Sequence, residues 1–295
     1  IDLYEQSLAL FREIGDRAGE GRALGNLGNV YNNLGQYERA IDLYERSLTI
    51  TREIGDRAGE GHALGNLGIA YRNLGQYERA IDLYERSLVI FREIGARAGE
   101  GRALGNLGNV YDSLGQYERA IDFHEQSLAL FREIGDRAGE GRALGGLGHA
   151  YFSLGQYERA MDFYEQRLAI AREIGDLTGE GSALGGLGIA YRNLGQYERA
   201  IDFHEQHLAI AREIGDLTGE GVALGNLSVA YDSLGQHDRA LEQHGQAVAL
   251  FNQLGARAEE AMGLSYIGIF FNNQSQPELA IIFLKASVDV REAIR

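Results

Sequence analysis

The sequence predicts an all-α protein, a solenoid of antiparallel helix pairs. Three observations predict it. First, one phrase returns every 40 residues: Tyr37, Tyr77, Tyr117, Tyr157 and Tyr197 hold one column, and Ala40, Ala80, Ala120, Ala160, Ala200, Ala240 and Ala280 another. Self-similarity at a fixed period of 20–50 residues marks a stacked repeat array. Second, apolar residues inside each unit recur at helical spacing, with no strand-like alternation. Third, the joints are short, and short joints force antiparallel neighbours.

The elements follow in order. Residues 1–15 read as a lone second helix, helix B. Seven pairs follow, at 16–55, 56–95, 96–135, 136–175, 176–215, 216–255 and 256–295, and all are expected to form one solenoid domain. In the first pair, helix A is expected from Arg17 to Leu34, with Leu24, Leu27, Tyr31 and Leu34 on its apolar face. Asp16 suits the N-cap and Gly35 the stop. Helix B is expected from Tyr37 to Ile54, with Ala40, Ile41, Tyr44, Leu48 and Thr51 inward and Gly55 as its stop. At 1.5 Å per residue each helix is roughly 27 Å long. Gly21, Gly25 and Gly28 share one face of helix A, each at a cost of about 1 kcal/mol relative to Ala. Two explanations are open: Gly28 against Ala40 lets the helices approach closely, or part of the stripe exposes backbone to a ligand. In the last pair Gln274-Ser275-Gln276 replaces the usual Leu-Gly-Gln, and Pro277, the only proline, opens helix B. Proline is tolerated in a first helical turn.

Composition excludes several classes. The net charge of −15 argues against nucleic-acid partners, which need a basic stripe. No apolar run reaches the 18 residues of a membrane span. Absence of cysteine removes disulfides and thiolate chemistry. A cytoplasmic protein is expected, and Ile1, standing in mid-repeat, predicts a fragment of a longer chain.

Leu24, Leu27-Gly28, Tyr31, Ala40, Tyr44 and Ser47 match the spacing of the tetratricopeptide repeat. The phrase GDRAGEGRALGNLGN, in a 40-residue unit in place of 34, resembles the repeats of the LGN/Pins adaptor family. The resemblance covers essentially the whole chain. It implies a right-handed superhelix whose concave face holds an extended peptide through Arg and Asn of successive A helices. Carried onto this chain, the Arg column is Arg22, His62, Arg102, Arg142, Ser182, Val222 and Met262. One Asn column is Asn26, Asn66, Asn106, Gly146, Gly186, Asn226 and Tyr266. A second is Asn29, Ile69, Asn109, His149, Ile189, Val229 and Ile269, with Asn33, Asn73 and Asn193 one turn further on. The match departs from the fourth unit onward. Large bacterial signalling proteins carry similar arrays, and near-identical units suit such a source.

The residues themselves support a binding stripe. Arg22, Asn26, Asn29 and Asn33 lie at i, i+4, i+7 and i+11. Asn is a poor helix former, so a repeated Asn stripe calls for an explanation. Amides pair with peptide backbone, and Arg grips carboxylates bidentately. A solvated face copied by duplication is the plain alternative. The columns turn apolar toward the C-terminus, which predicts a graded groove, widened at Gly145-Gly146 and Gly185-Gly186.

Catalytic and cofactor motifs are not found. Gly19-Glu20-Gly21 with Gly25 lacks the strand a dinucleotide loop must follow. His204-Glu205-Gln206-His207 is one residue short of the HExxH zinc motif. His124, His204 and His244 fall in the Tyr44 column, a packing position. No cofactor, metal or enzymatic activity is expected. The expected function is a scaffold or adaptor whose partner is a protein or peptide segment with acidic groups. The alternatives are a sensor or autoregulatory arm of a larger signalling protein and a self-assembling array. Apolar residues at both ends, Leu3 and Tyr4 at one and Ile281, Ile282 and Val288 at the other, predict end-mediated self-association.

Overall fold

A computed structural model describes residues 1–293, which hold fifteen helices and no strand. A first compact unit, Ile1–Leu154, contains α1 (Asp2–Glu13), α2 (Arg17–Asn33), α3 (Tyr37–Glu53), α4 (Arg57–Asn73), α5 (Tyr77–Glu93), α6 (Arg97–Ser113), α7 (Tyr117–Ile134) and α8 (Arg137–Ser153). A second unit begins at Gly155. It contains α9 (Tyr157–Ile174), α10 (Leu177–Asn193), α11 (Tyr197–Ile214), α12 (Leu217–Ser233), α13 (His237–Leu254), α14 (Arg257–Asn273) and α15 (Pro277–Glu292).

Local chemistry sets the boundaries. The Asp16 carboxylate accepts the Gly19 backbone N–H at 2.8 Å, and Asp56, Asp136, Asp176 and Asp216 cap their helices likewise. Gly35 and Gly55 take φ near +72°, a conformation that suits glycine at a helix stop. Ser275 must adopt φ +57° in the same turn. Helix α2 ends at Asn33, one residue before the expected Leu34. Leu34 caps the helix and is 56% exposed, so it does not join the core face.

Inner B helices are shared between two A helices. In unit one, α3 packs on α2 and α4, α5 on α4 and α6, and α7 on α6 and α8. Leu43 and Ile50 of α3 join Leu24 and Leu27 of α2 and Leu8 of α1. Ala40, Tyr44 and Leu48 of α3 turn instead to Leu64 and Leu67 of α4. Burying a leucine fully is worth about 1.5–3 kcal/mol, so these layered clusters are the main stabilising element. Successive A helices also touch: α2 and α4, α4 and α6, α6 and α8 in unit one, and α10 and α12 in unit two. The A helices therefore line one continuous face in unit one.

A polar ladder, invisible at helical spacing, crosses the joints. Arg12 Nε donates to Glu20 Oε1 at 2.8 Å, Arg17 donates to Glu20 Oε2 at 2.7 Å, and Arg17 also reaches Glu53. Arg52–Glu60–Arg57–Glu93 and Arg92–Glu100–Arg97–Glu133 repeat it. Glu20 is buried, and the hydrogen bond from Arg12 is the largest influence holding its carboxyl below the usual range. In unit two Leu177 and Leu217 replace the second arginine, and the contacts Arg172–Glu180 and Arg212–Glu220 remain.

Gly28 has a packing role: a Cβ there would stand 2.5 Å from the Tyr44 ring of α3, so the glycine lets α3 pack closely. Rings stand beside three of the paired glycines: His124 beside Gly146, His207 beside Gly185 and Tyr164 beside Gly186.

Candidate functional site

The A-helix face of unit one carries a cavity of about 250 Å³. Helix α4 supplies Gly61, His62, Gly65, Asn66 and Ile69, and α6 supplies Gly101, Arg102, Gly105, Asn106 and Asn109. Arg142 comes from α8, and Phe91, Ser127 and Phe131 from α5 and α7. Five of the site residues expected from sequence thus meet: Asn66, Arg102, Asn106, Asn109 and Arg142. Arg22, Asn26 and Asn29 stand on α2 outside the cavity, all exposed. Asn33 is exposed a turn further on, and the Asn73 amide donates to the Asn32 side chain at 3.3 Å.

The arginines differ in how firmly they are held. Among the described residues Arg22 and Arg102 are in no hydrogen bond or ion pair. Arg142 lies over the Phe131 ring, 5.9 Å from its centroid, and 4.0 Å from Asp136. Two influences lower the pKa of His62: its burial, and the positive charge of Arg102. It packs on Phe91 with ring centroids 5.1 Å apart. The serines on the cavity floor are already engaged, Ser87 and Ser127 each donating to an A-helix carbonyl at 2.8 Å.

Asn29 has a second role. Its carbonyl accepts the Tyr44 hydroxyl at 2.7 Å. The next unit has Ile69 at that column, and the buried Tyr84 hydroxyl there has no partner. The third unit solves the problem differently. His124, in the Tyr44 column, places Nε2 3.3 Å from Asp112 Oδ2, and His149 Nδ1 stands 3.6 Å from the same oxygen. Burial works to raise the Asp112 pKa, but the two histidines outweigh it and lower it. Asp112 in turn raises His149. Sequence reading missed this cluster, since its members sit in three different columns on α6, α7 and α8.

In unit two the same columns are mixed, with Ser182 and Asn226 polar and most of the others apolar. Val222, Met262, Tyr266 and Ile269 are large and exposed. Among the described residues no group of histidines and carboxylates could hold a metal ion, and no helix is long and apolar enough to cross a membrane.

Tandem helix pairs with a polar column along the A-helix face define a helical-repeat protein of the interaction-scaffold class. The tetratricopeptide repeat profile matches residues 1–53, 21–93, 59–133, 99–173 and 180–253. The chain belongs to the tetratricopeptide repeat family. Mouse (Mus musculus) G-protein-signaling modulator 1 is 51% identical over 39 residues, which is 13% of this chain and 6% of that protein's length. The apo form of the quorum sensor NprR from B. thuringiensis aligns over 97% of this chain and 81% of its own, with a TM-score of 0.76 at 16% identity. The Rap conjugation gene regulator of the plasmid pLS20, solved in complex with the Phr* peptide, covers 95% and 75%, with a TM-score of 0.70 at 14% identity. These structural likenesses concern the fold.

Proposed function

We propose that this chain is a cytoplasmic, non-catalytic scaffold that holds an extended, acidic peptide segment of a partner protein along the A-helix face. Arg22, Arg102 and Arg142 grip acidic groups. Asn26, Asn29, Asn66, Asn106 and Asn109 pair with peptide backbone. Asn33 and Asn73 extend the stripe at its edge. One observation carries the reading: Arg102 borders a cavity beside Asn66 and Asn106 with no ion pair among the described residues, in a chain of net charge −15. An unpaired guanidinium in a concave site is free to take a carboxylate bidentately. A Rap regulator of the same fold, solved with a peptide, supports a peptide as the occupant.

Charge-assisted hydrogen bonds contribute about 1.5–3 kcal/mol each. Replacing Arg102 and Arg142 together by Ala is expected to weaken a fluorescein-labelled GGELEGG heptapeptide at least tenfold in anisotropy titrations, with unchanged circular dichroism. Equal affinity for both proteins would refute the assignment.

A further inference from the structure

Glycine is the poorest helix former after proline, yet α4 and α6 each carry several. The structure divides them by what a side chain would meet. A Cβ at Gly61 or Gly101 would stand 2.9 Å from the Phe91 or Phe131 ring. A Cβ at Gly68 or Gly108 would stand 2.5 or 2.6 Å from Tyr84 or His124. These four are required by packing. Gly65 and Gly105 are different: the nearest atoms to a Cβ are the Ser87 and Ser127 hydroxyls, at 3.7 and 3.4 Å. That is ordinary contact, so alanine fits at both positions. Gly25 has the same 3.7 Å clearance, and a Cβ at Gly225 meets nothing within 4 Å. At Gly185 the same column is crowded, with a Cβ 3.2 Å from His207 Nδ1, but packing does not explain glycine at Gly25, Gly65, Gly105 or Gly225.

Two of these glycines, Gly65 and Gly105, line the cavity with Asn66, Arg102 and Asn106, and Gly25 lies outside it. Bare helix backbone allows close approach of a ligand. The neighbouring surface is apolar, supplied by Phe91, Phe131 and Ile69. A second feature borders the same space. His124 is 2% exposed and its Nδ1 has no hydrogen-bond partner, while Nε2 faces Asp112. About 250 Å³ falls below the roughly 300–1,000 Å³ of small-molecule pockets and suits one large side chain.

Resting on the groove reading above, we infer that Gly65 and Gly105 form a side-chain pocket within the groove, which selects a peptide carrying one large apolar residue directly beside a carboxylate. The apolar side chain lies against the two glycine backbones, between Phe91 and Phe131. The adjacent carboxylate meets Arg102. Specificity then comes from the pocket, and the Arg and Asn columns hold the remaining backbone and charge.

The test uses four labelled peptides, GGEXEGG with X as Gly, Ala, Leu or Phe, against the whole chain and its variants. Burial of a leucine side chain predicts that the Leu peptide binds at least tenfold more tightly than the Gly peptide. The double variant Gly65→Ala/Gly105→Ala is expected to melt at a higher temperature and to lose the Leu preference. Gly61→Ala, the packing control, is expected to melt lower. A Leu preference that survives in the double variant overturns the pocket, as does a lower melting temperature of that variant. Equal affinities for all four peptides, still sensitive to Arg102→Ala, overturn the pocket and leave the groove intact. Insensitivity to Arg102→Ala, or no binding of any peptide at millimolar concentration, overturns both.

Discussion

His204 offers the sharpest test of how the core of the second unit is balanced. Its side chain is fully buried on α11, and neither ring nitrogen has a hydrogen-bond partner. The first unit meets the same column with Tyr44, whose hydroxyl finds Asn29. Here Ile189 occupies the partner column. Burial above all, helped by the charges of His207 and Arg192, lowers the His204 pKa to about 3. An unsatisfied buried polar group costs about 1–3 kcal/mol. His204→Leu, which installs the residue that the final unit carries as Leu284, is therefore expected to stabilise the fold at pH 7 by roughly that amount. The effect of pH has a definite sign. The unfolded imidazole takes up its proton near 6.5 and the folded one only near 3. The unfolded state thus binds more protons in that window, and native stability falls as pH drops below 6.5. At about 1.4 kcal/mol per pH unit, the loss at pH 5 is roughly 2 kcal/mol. Burial also lowers His207 and His244, so the variant keeps part of the acid sensitivity. The difference between native protein and variant isolates His204. Urea titrations at pH 7 and pH 5, followed by amide exchange on α10 and α11, read it directly. An unchanged midpoint at pH 7 together with an identical pH slope would refute the reasoning.

Other expectations follow from single contacts. Tyr44→Phe is expected to cost about 0.5–1.5 kcal/mol by losing the bond to Asn29, whereas Tyr84→Phe, which removes an unpartnered hydroxyl, is expected to be neutral or stabilising. Urea midpoints of the two variants compare them. Ser275 holds φ +57°, so Ser275→Gly is expected to stabilise α14 and α15 by about 1 kcal/mol. Slower amide exchange in those helices is the readout.

Much of the fold was legible in the sequence because it is governed by local rules. The period fixed the number of units, apolar spacing fixed the helices, and Asp16 and Gly35 fixed where they begin and end. The columns Arg102, Asn106 and Arg142 could be named as one stripe because stacked repeats keep equivalent residues on equivalent faces. Leu34 was misplaced: it stands one residue beyond α2 and is exposed, although Leu114 at the same cap position of α6 packs against the core.

Contacts between helices belonged to the tertiary structure. Sequence could not separate Gly28, which admits the Tyr44 ring, from Gly25, which meets only a serine hydroxyl at 3.7 Å. Both lie on the same helix face, and the difference depends on where α3 places its side chains. The Glu20 carboxylate is buried, and Arg12, its partner on α1, is brought to it only by the fold. Asp112, His124 and His149 come from three helices, and only packing brings their polar atoms within 4 Å. Helical spacing determines which face a residue occupies. Whether that face meets a ring, a charge or open space is decided by the neighbouring helix, because burial and hydrogen bonding act over a few ångströms in space and not along the chain.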